Sequence, residues 1–271
     1  MKFKIGFTTE KEEKVEPVVI VTPPIKQEAV KSLVQVKFTS KNIPLTYYND
    51  KFNLKKGDLV YVDGKLEGQR GTVVEVEYNF KIKLSEYKRV IALVDTEIHG
   101  QFFMASSHFV TFAPTTLTKE QIATWFKAPN ADEEEYVTNF GDDTSFSLSN
   151  LQEFLISHEI ADRGFDYYCE GRVRYLTIEG TKGYAIVEGT ESYEVEFTYD
   201  DGQISHIICS CPCGYHCKHE FATLLELREM LEIIEKHYAT EYKASGYFAA
   251  IHKGTLLSCA VMGKETGSIT I

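Results

Sequence analysis

Between residues 34 and 112 apolar and polar positions alternate in short runs. Val34-Gln-Val-Lys-Phe38 alternates strictly, and Leu59-Val-Tyr-Val62 and Thr72-Val-Val-Glu-Val76 flank a glycine-marked break from Gly64 to Gly71. Further runs fall at 87–94 and 102–112. A period of two in β-branched and aromatic side chains marks half-buried strands, and a glycine-bearing break between two such runs closes a hairpin. Five or six short strands in roughly 75 residues predict a small antiparallel barrel over 31–112.

After residue 113 the spacing changes. Thr118-x-x-Gln121 stands before Ile122, Trp125 and Phe126, and Ser149-x-x-Gln152 overlaps Leu151, Phe154 and Leu155. Both read as capping boxes that open helices. With loops at 132–135 and 141–143, residues 113–162 are expected to form an acidic helical connector. Strand-like runs return at 171–178, 183–188, 193–199 and 204–209, with Asp200-Asp-Gly202 as one turn. A helix follows, because Phe221, Leu224, Leu225, Leu227, Leu231 and Ile234 recur at three- and four-residue spacing. The stretch 163–240 is therefore a domain of sheet plus helix. Residues 241–271 read as a β extension with runs at 247–252, 256–261 and 268–271, extending a sheet or packing on the preceding domain. Residues 1–30 carry a Lys/Glu mixture and the Pro23-Pro24 pair, so they read as a tail or linker in which only 18–21 offers an edge strand. The fold class is α+β.

Composition narrows the class. Of 271 residues, 43% are hydrophobic and 25% charged, ordinary values for a globular chain of two or three modest domains. The apolar runs at 18–21 and 90–94 are far too short to span a bilayer, so no membrane role is expected. No apolar core with a small-residue cleavage site follows the first lysines. The expected compartment is the cytoplasm, where thiols stay reduced. The net charge of −11 is uneven. Residues 31–94 carry 12 Lys+Arg against 7 Asp+Glu, whereas residues 95–230 carry 8 against 24. Phosphate affinity rests on Lys and Arg, so any nucleic-acid contact is expected first in the basic β region, at Lys55, Lys56 and Arg70. The acidic stretch reads as a solvated face or as a surface for a basic partner.

The candidate chemistry is concentrated in Cys209-Ser-Cys-Pro-Cys213-Gly-Tyr-His216-Cys217-Lys-His219. Four of the six cysteines fall within nine residues here, which in a reducing compartment indicates metal binding rather than a disulfide framework. Pro212 and Gly214 allow the bend that turns a Cys-x-Cys pair inward. Cys217 lies at the helix entrance and His219 in its first turn, where thiolates also gain from the positive helix end. Four N/S donors around zinc leave no open position to activate water, which makes the ion structural. Cys213 and His216 are alternative ligands. Cys213 reads either as a buried inert thiol or as an oxidisable, exchangeable ligand whose oxidation ejects zinc.

Cys-x-Cys, a short spacer and Cys-x-His resemble the SWIM zinc-finger signature. Arg163-Gly-x-x-Tyr167-Tyr168-x-x-Gly171-Arg172-Val173 upstream and Phe221-Ala-x-Leu-Leu225 downstream agree with it. The resemblance covers residues 160–230. It implies that Cys209, Cys211, Cys217 and His219 are the zinc ligands, that the unit is a ββα-type finger, and that the chain binds DNA or protein. Lys218, between two ligands, is then a surface contact. Arg172 and Arg174 with Tyr167 and Tyr168 read either as a stacking and phosphate patch or as residues satisfied locally by the sheet and nearby acids. Separately, Leu54-Lys-Lys-Gly-Asp-Leu-Val-Tyr-Val62 followed by Gly71-Thr-Val-Val-Glu-Val76 resembles KOW-type SH3-like barrels, which hold nucleic acid in some families and peptides in others.

Cys169 and Cys259 are expected to be buried small apolar residues. His99, His108, His158, His206, His237 and His252 share no ligand spacing. No paired-carboxylate, Ser-His-Asp or His-Glu-x-x-His pattern stands out, and Gly57 to Gly64-Lys65 ends in Leu66 at the wrong spacing for a phosphate loop. No small-molecule substrate is indicated. The expected function is a non-enzymatic zinc protein acting as a nucleic-acid-binding accessory, or alternatively a protein-interaction adaptor in which zinc only holds the fold.

Overall fold

The computed structural model describes residues 30–129 and 145–261. The first β region folds as β1 (Ser32–Lys37), β2 (Leu45–Asn49), β3 (Leu59–Val62), β4 (Gly71–Glu77) and β5 (Val90–Val94), an antiparallel sheet in the order β2-β1-β4-β3-β5. The sheet curls until its outer strands meet: the Tyr48 amide donates to the Lys88 carbonyl at 2.8 Å, and Arg89 Nη1 reaches Asp50 Oδ2 at 2.7 Å. Inside the curl, Val34, Val36, Phe38, Tyr47, Val60, Val62, Val73 and Val90 form one core. Gly71 is needed there, because a Cβ would lie 2.3 Å from Val36 Cγ1. β2 was not anticipated, since three successive buried residues, Tyr47 to Asn49, break the alternation that signals a strand.

The run at 102–112 joins neither the curl nor its core alone. It is a hairpin, β6 (Phe103–Ala105) and β7 (His108–Thr111), that belongs to a second, eight-stranded antiparallel sheet in the order β6-β7-β13-β9-β10-β11-β12-β8. Its other members are β8 (Phe146–Ser147), β9 (Val173–Glu179), β10 (Lys182–Glu188), β11 (Ser192–Asp200), β12 (Gln203–Cys209) and β13 (Tyr247–His252). The expected strands at 171–209 thus pair in sequence as a meander, and β13 inserts between β7 and β9 instead of lengthening an edge.

Helices cover both faces. α1 (Lys119–Phe126) starts as expected, with Thr118 Oγ1 accepting the Gln121 amide. The second capping box does not form. Ser149 Oγ instead bonds Ser147 Oγ, residues 151–153 make a single 3₁₀ turn, and α2 (His158–Cys169) is capped by Ser157. Glu153 accepts from the Ser147 amide at 3.1 Å and from Asn150 Nδ2 at 2.8 Å, local bonds that close residues 147–153 as a turn in place of a helix. α3 (Lys218–His237) lays Leu224, Leu227, Met230 and Ile234 on one sheet face against Leu176, Ile178, Val187 and Phe248. The opposite face, with Tyr175, Tyr184, Ile186 and Ile251, packs on Ile122 and Trp125 of α1 and on Tyr61, Ala92 and Val94 of the first sheet.

After α4 (Ala239–Ser245) and β13, residues 253–261 are helical, as α5 (Lys253–Leu256) running into a wider turn, and not the strand expected at 256–261. Leu256 and Ala260, four apart, both enter the core between the sheets, a helical spacing. The expected features at 1–29, 132–135, 141–143 and 268–271 lie outside the described residues. Among the described residues no helix is long and apolar enough to cross a membrane.

Candidate metal centre

β12 ends at Cys209, still in register with Val195 of β11. The chain then bends over residues 210–212, held by the Ser210 amide to the Glu194 carbonyl and by the Glu194 amide to Ser210 Oγ, both 2.9 Å. It re-enters regular structure at Cys217, the N-cap of α3, which places His219 in the first turn. This strand–knuckle–helix path brings one ligand atom from each of Cys209, Cys211, Cys217 and His219 within 4.8 Å of one another. Nδ1 of His219 lies 3.7 Å from both Cys209 Sγ and Cys217 Sγ. Around a zinc ion the edges of a tetrahedron with sulfur at about 2.3 Å and nitrogen at about 2.0 Å are roughly 3.5–3.8 Å. The donor set fits.

At Cys217 the surroundings favour sulfur in its charged form, because the Glu220 amide turns to that sulfur in a capping box. Hydrogen bonds to a thiolate stabilise it before any metal arrives. Crowding opposes that. Cys217 is pushed down to about 4 by the hydrogen bond from the Cys209 thiol, with His219 assisting. Cys209 is pushed up because it shares that proton, and Cys211 is pushed up to about 12 by burial. A divalent ion held by the four would supply the positive charge that favours the thiolate form of all three cysteines.

A second layer holds the ligands in place. Glu220, almost wholly buried, accepts the Cys217 amide and faces His216 Nδ1, each at 3.0 Å, while its own amide supports Cys217 Sγ, which closes a capping box with a cysteine as the cap. Tyr193 stacks on the His219 ring at 4.5 Å and Tyr167 leans on it at 5.5 Å. His219 Nε2 is buried and has no hydrogen-bond partner among the described residues. Gly189 sits beside it: a Cβ there would lie 3.2 Å from Nε2 and 2.9 Å from the Tyr193 ring.

The alternative ligands are placed apart from the four. His216 packs on the Phe154 ring at 4.3 Å and pairs with Glu220, whose hydrogen bond pushes its pKa up. Cys213 is exposed, which corrects the expectation of a buried thiol; so is Cys169, and Cys259 is only partly covered. Cys169 ends α2 on its solvent side, and the knuckle holding Cys213 is too short to cover its own side chains.

The basic candidates fall into two groups. Lys218 Nζ and the Arg172 guanidinium lie 4.3 and 5.0 Å from the centre of the Tyr167 ring, next to the metal centre. Arg172 also pairs with Glu170 at 2.5 Å, and Arg174 with Glu188 at 2.6 Å, so both arginines are satisfied by local acids. Lys55, Lys56 and Arg70 are exposed on the first sheet around β3 and β4, with Lys55 3.3 Å from Glu97.

One buried polar feature escaped the sequence reading. His108 on β7 and Glu226 on α3 are both buried, with Nδ1 and Oε1 3.0 Å apart, and His108 Nε2 donates to the Val173 carbonyl. A glutamate set four residues after Ala222 and four before Met230, inside the apolar stripe, was the available signal; its partner lies 118 positions earlier and spacing cannot find it.

Compared with known proteins, the chain matches no family model, no curated protein and no solved structure.

Proposed function

We propose that this chain is a non-enzymatic zinc protein of SWIM type, whose ion ties the end of β12 to the start of α3 and so fixes the surface around Tyr167, Lys218 and Arg172 for a macromolecular partner. The observation that carries the reading is the convergence of three sulfurs and one imidazole nitrogen within 4.8 Å, with three of the four residues buried. Three thiolates and an imidazole suit zinc, and a set of four leaves no coordination position for water or substrate.

The partner in the first reading is nucleic acid. Lys218 and Arg172 supply charge beside an aromatic ring, and the basic first sheet, taken as an SH3-like barrel of KOW type, adds Lys55, Lys56 and Arg70. The second reading is a protein adaptor in which zinc only supports the fold. The pairing of Arg172, Arg174 and Lys55 with Glu170, Glu188 and Glu97 favours it, because cations already neutralised release fewer counterions on meeting phosphate.

Metal analysis of the purified chain tests the first half: one zinc per chain is expected, lost in Cys209→Ala and His219→Ala variants. A low-salt gel shift with single- and double-stranded probes tests the second. Binding that weakens in the Lys218→Ala and Lys55→Ala/Lys56→Ala variants supports the nucleic-acid reading. No shift at any protein concentration, with a basic protein recovered by pull-down after nuclease treatment, selects the adaptor.

A further inference from the structure

The cysteine-rich knuckle has one thiol more than the cluster uses. Cys209, Cys211 and Cys217 turn their sulfurs into the metal centre, whereas the Cys213 side chain is exposed. Only Pro212 separates it from Cys211, whose sulfur belongs to the cluster. The chain bends across residues 210–212, which brings the two cysteines flanking Pro212 closer than an extended chain would. Two residues of extended chain span at most about 7 Å, and a disulfide needs its Cα atoms about 4.4–6.8 Å apart. A bent pair meets that range with little backbone movement. The knuckle therefore sets an accessible thiol next to a metal-holding sulfur.

We propose that Cys213 is the oxidation site of this centre: a hydroperoxide oxidises it, and it then takes Cys211 out of the ligand set as a Cys211–Cys213 disulfide. In the first step the peroxide O–O bond breaks. One oxygen stays on Cys213 as the sulfenic acid; the other leaves as water (or as an alcohol from an organic peroxide) with the thiol proton. In the second, the Cys211 sulfur attacks the Cys213 sulfur, the S–S bond forms, the S–O bond breaks, and hydroxide departs and takes a proton from solvent. The two sulfurs together give up two electrons and the peroxide accepts them. Cys209, Cys217 and His219 remain as three donors, an open set that holds zinc far more weakly than the closed one. A thiol reductant and fresh zinc reverse the change.

The inference rests on the zinc reading, and the test separates the two. The full-length, zinc-loaded chain is first assayed for metal, then treated with hydrogen peroxide while released zinc is followed with a chromogenic chelator. Non-reducing peptide mass spectrometry maps the disulfide. The parent is expected to release its zinc with formation of the Cys211–Cys213 bond. Cys213→Ser, which alters only an exposed side chain and should carry one zinc beforehand, is expected to release it about tenfold more slowly. Cys169→Ser, which removes the other exposed thiol, should behave as the parent. Alkylating Cys213 in the parent with iodoacetamide should protect it as the serine does. Equal release from parent and Cys213→Ser, or a disulfide mapped elsewhere, overturns this inference alone. A parent that holds no zinc before peroxide overturns the zinc reading and this inference with it.

Discussion

At the residue scale the Cys/His cluster was legible because its four members lie within eleven residues, where chain geometry alone restricts their relative positions. What spacing could not reveal was the support around them. Gly189 reads in the sequence as one more turn glycine, yet its missing Cβ leaves room for the Tyr193 ring and His219 Nε2. Gly189→Ala is expected to press on both and weaken zinc binding by about tenfold, the usual scale for disturbing what orients a ligand. A chelator competition should read this with little change in far-UV circular dichroism; unchanged affinity would remove the packing role assigned to that glycine. His252 gives a second residue-scale expectation. It is wedged between Gly171 and Gly254, edge-on to His108 and 3.3 Å from Arg174 Nη1. Burial, with help from His108 and Arg174, pushes its pKa down to about 4. Folded His252 is therefore neutral, whereas in the unfolded chain it takes a proton near pH 6.5. Its stabilising contribution is fully present above pH 6.5 and is lost as pH falls towards 4, because the unfolded state binds more protons in that window. Urea midpoints at pH 7, 6 and 5 should fall less steeply in His252→Gln than in the parent. Parallel slopes would contradict the assignment.

At the scale of elements, periodicity served where one face is buried and failed where it is not. The strands at 171–209 and the stripe of α3 were legible because polar and apolar residues separate by face or by turn. β2 and the helical end at 253–261 were not, since their burial follows from what lies above them and not from local alternation. The join between α2 and α3 is another contact that no local pattern announces. Gly164 is buried mid-helix in α2, and a Cβ there would meet Phe221 Cβ at 2.9 Å and the Lys218 carbonyl at 3.0 Å. Two opposing effects decide the sign of Gly164→Ala. Helix propensity favours alanine by about 1 kcal/mol. Overpacking against backbone costs about 1–3 kcal/mol, and the obstacle at Lys218 is a carbonyl at the first turn beside the metal ligands, which has no rotamer to yield. The net effect expected is destabilisation of up to about 2 kcal/mol, a drop of at most roughly 8 °C in melting temperature. Thermal melts decide it, and a rise would show that α2 moves aside freely.

At the scale of the molecule, the ion proposed for the cluster matters beyond the knuckle only if the shared strands transmit its loss. β9, β10 and β13 are buried on both faces: Leu176 and Ile178 face the core under α3, while Tyr175, the residue before Leu176, faces the core under α1 and the first sheet. The His108 bond to the Val173 carbonyl adds a polar tie from β7 to β9 beneath α3, where Glu226 Oε1 lies 3.0 Å from His108 Nδ1. Trp125, the chain's one tryptophan, lies in the far core, 2% exposed, with Nε1 donating to the Asp95 carbonyl at 2.6 Å. It reports on a region that shares strands with the metal side but contains none of its ligands. If the shared strands transmit the loss, chelation should lower the urea midpoint of tryptophan emission along with that of helix circular dichroism. A structural zinc is worth several kcal/mol, so the shift should be on the order of 1–2 M. The alternative is local opening of the knuckle and α2 with the rest intact. A tryptophan transition that keeps its metal-loaded midpoint after the zinc is gone would establish it, and would make the first sheet with α1 a folding unit independent of the ion. The two-faced burial of β9 favours the coupled outcome, because Tyr175 cannot keep its place while Val173 and Leu176, the core residues before and after it on the strand, lose theirs.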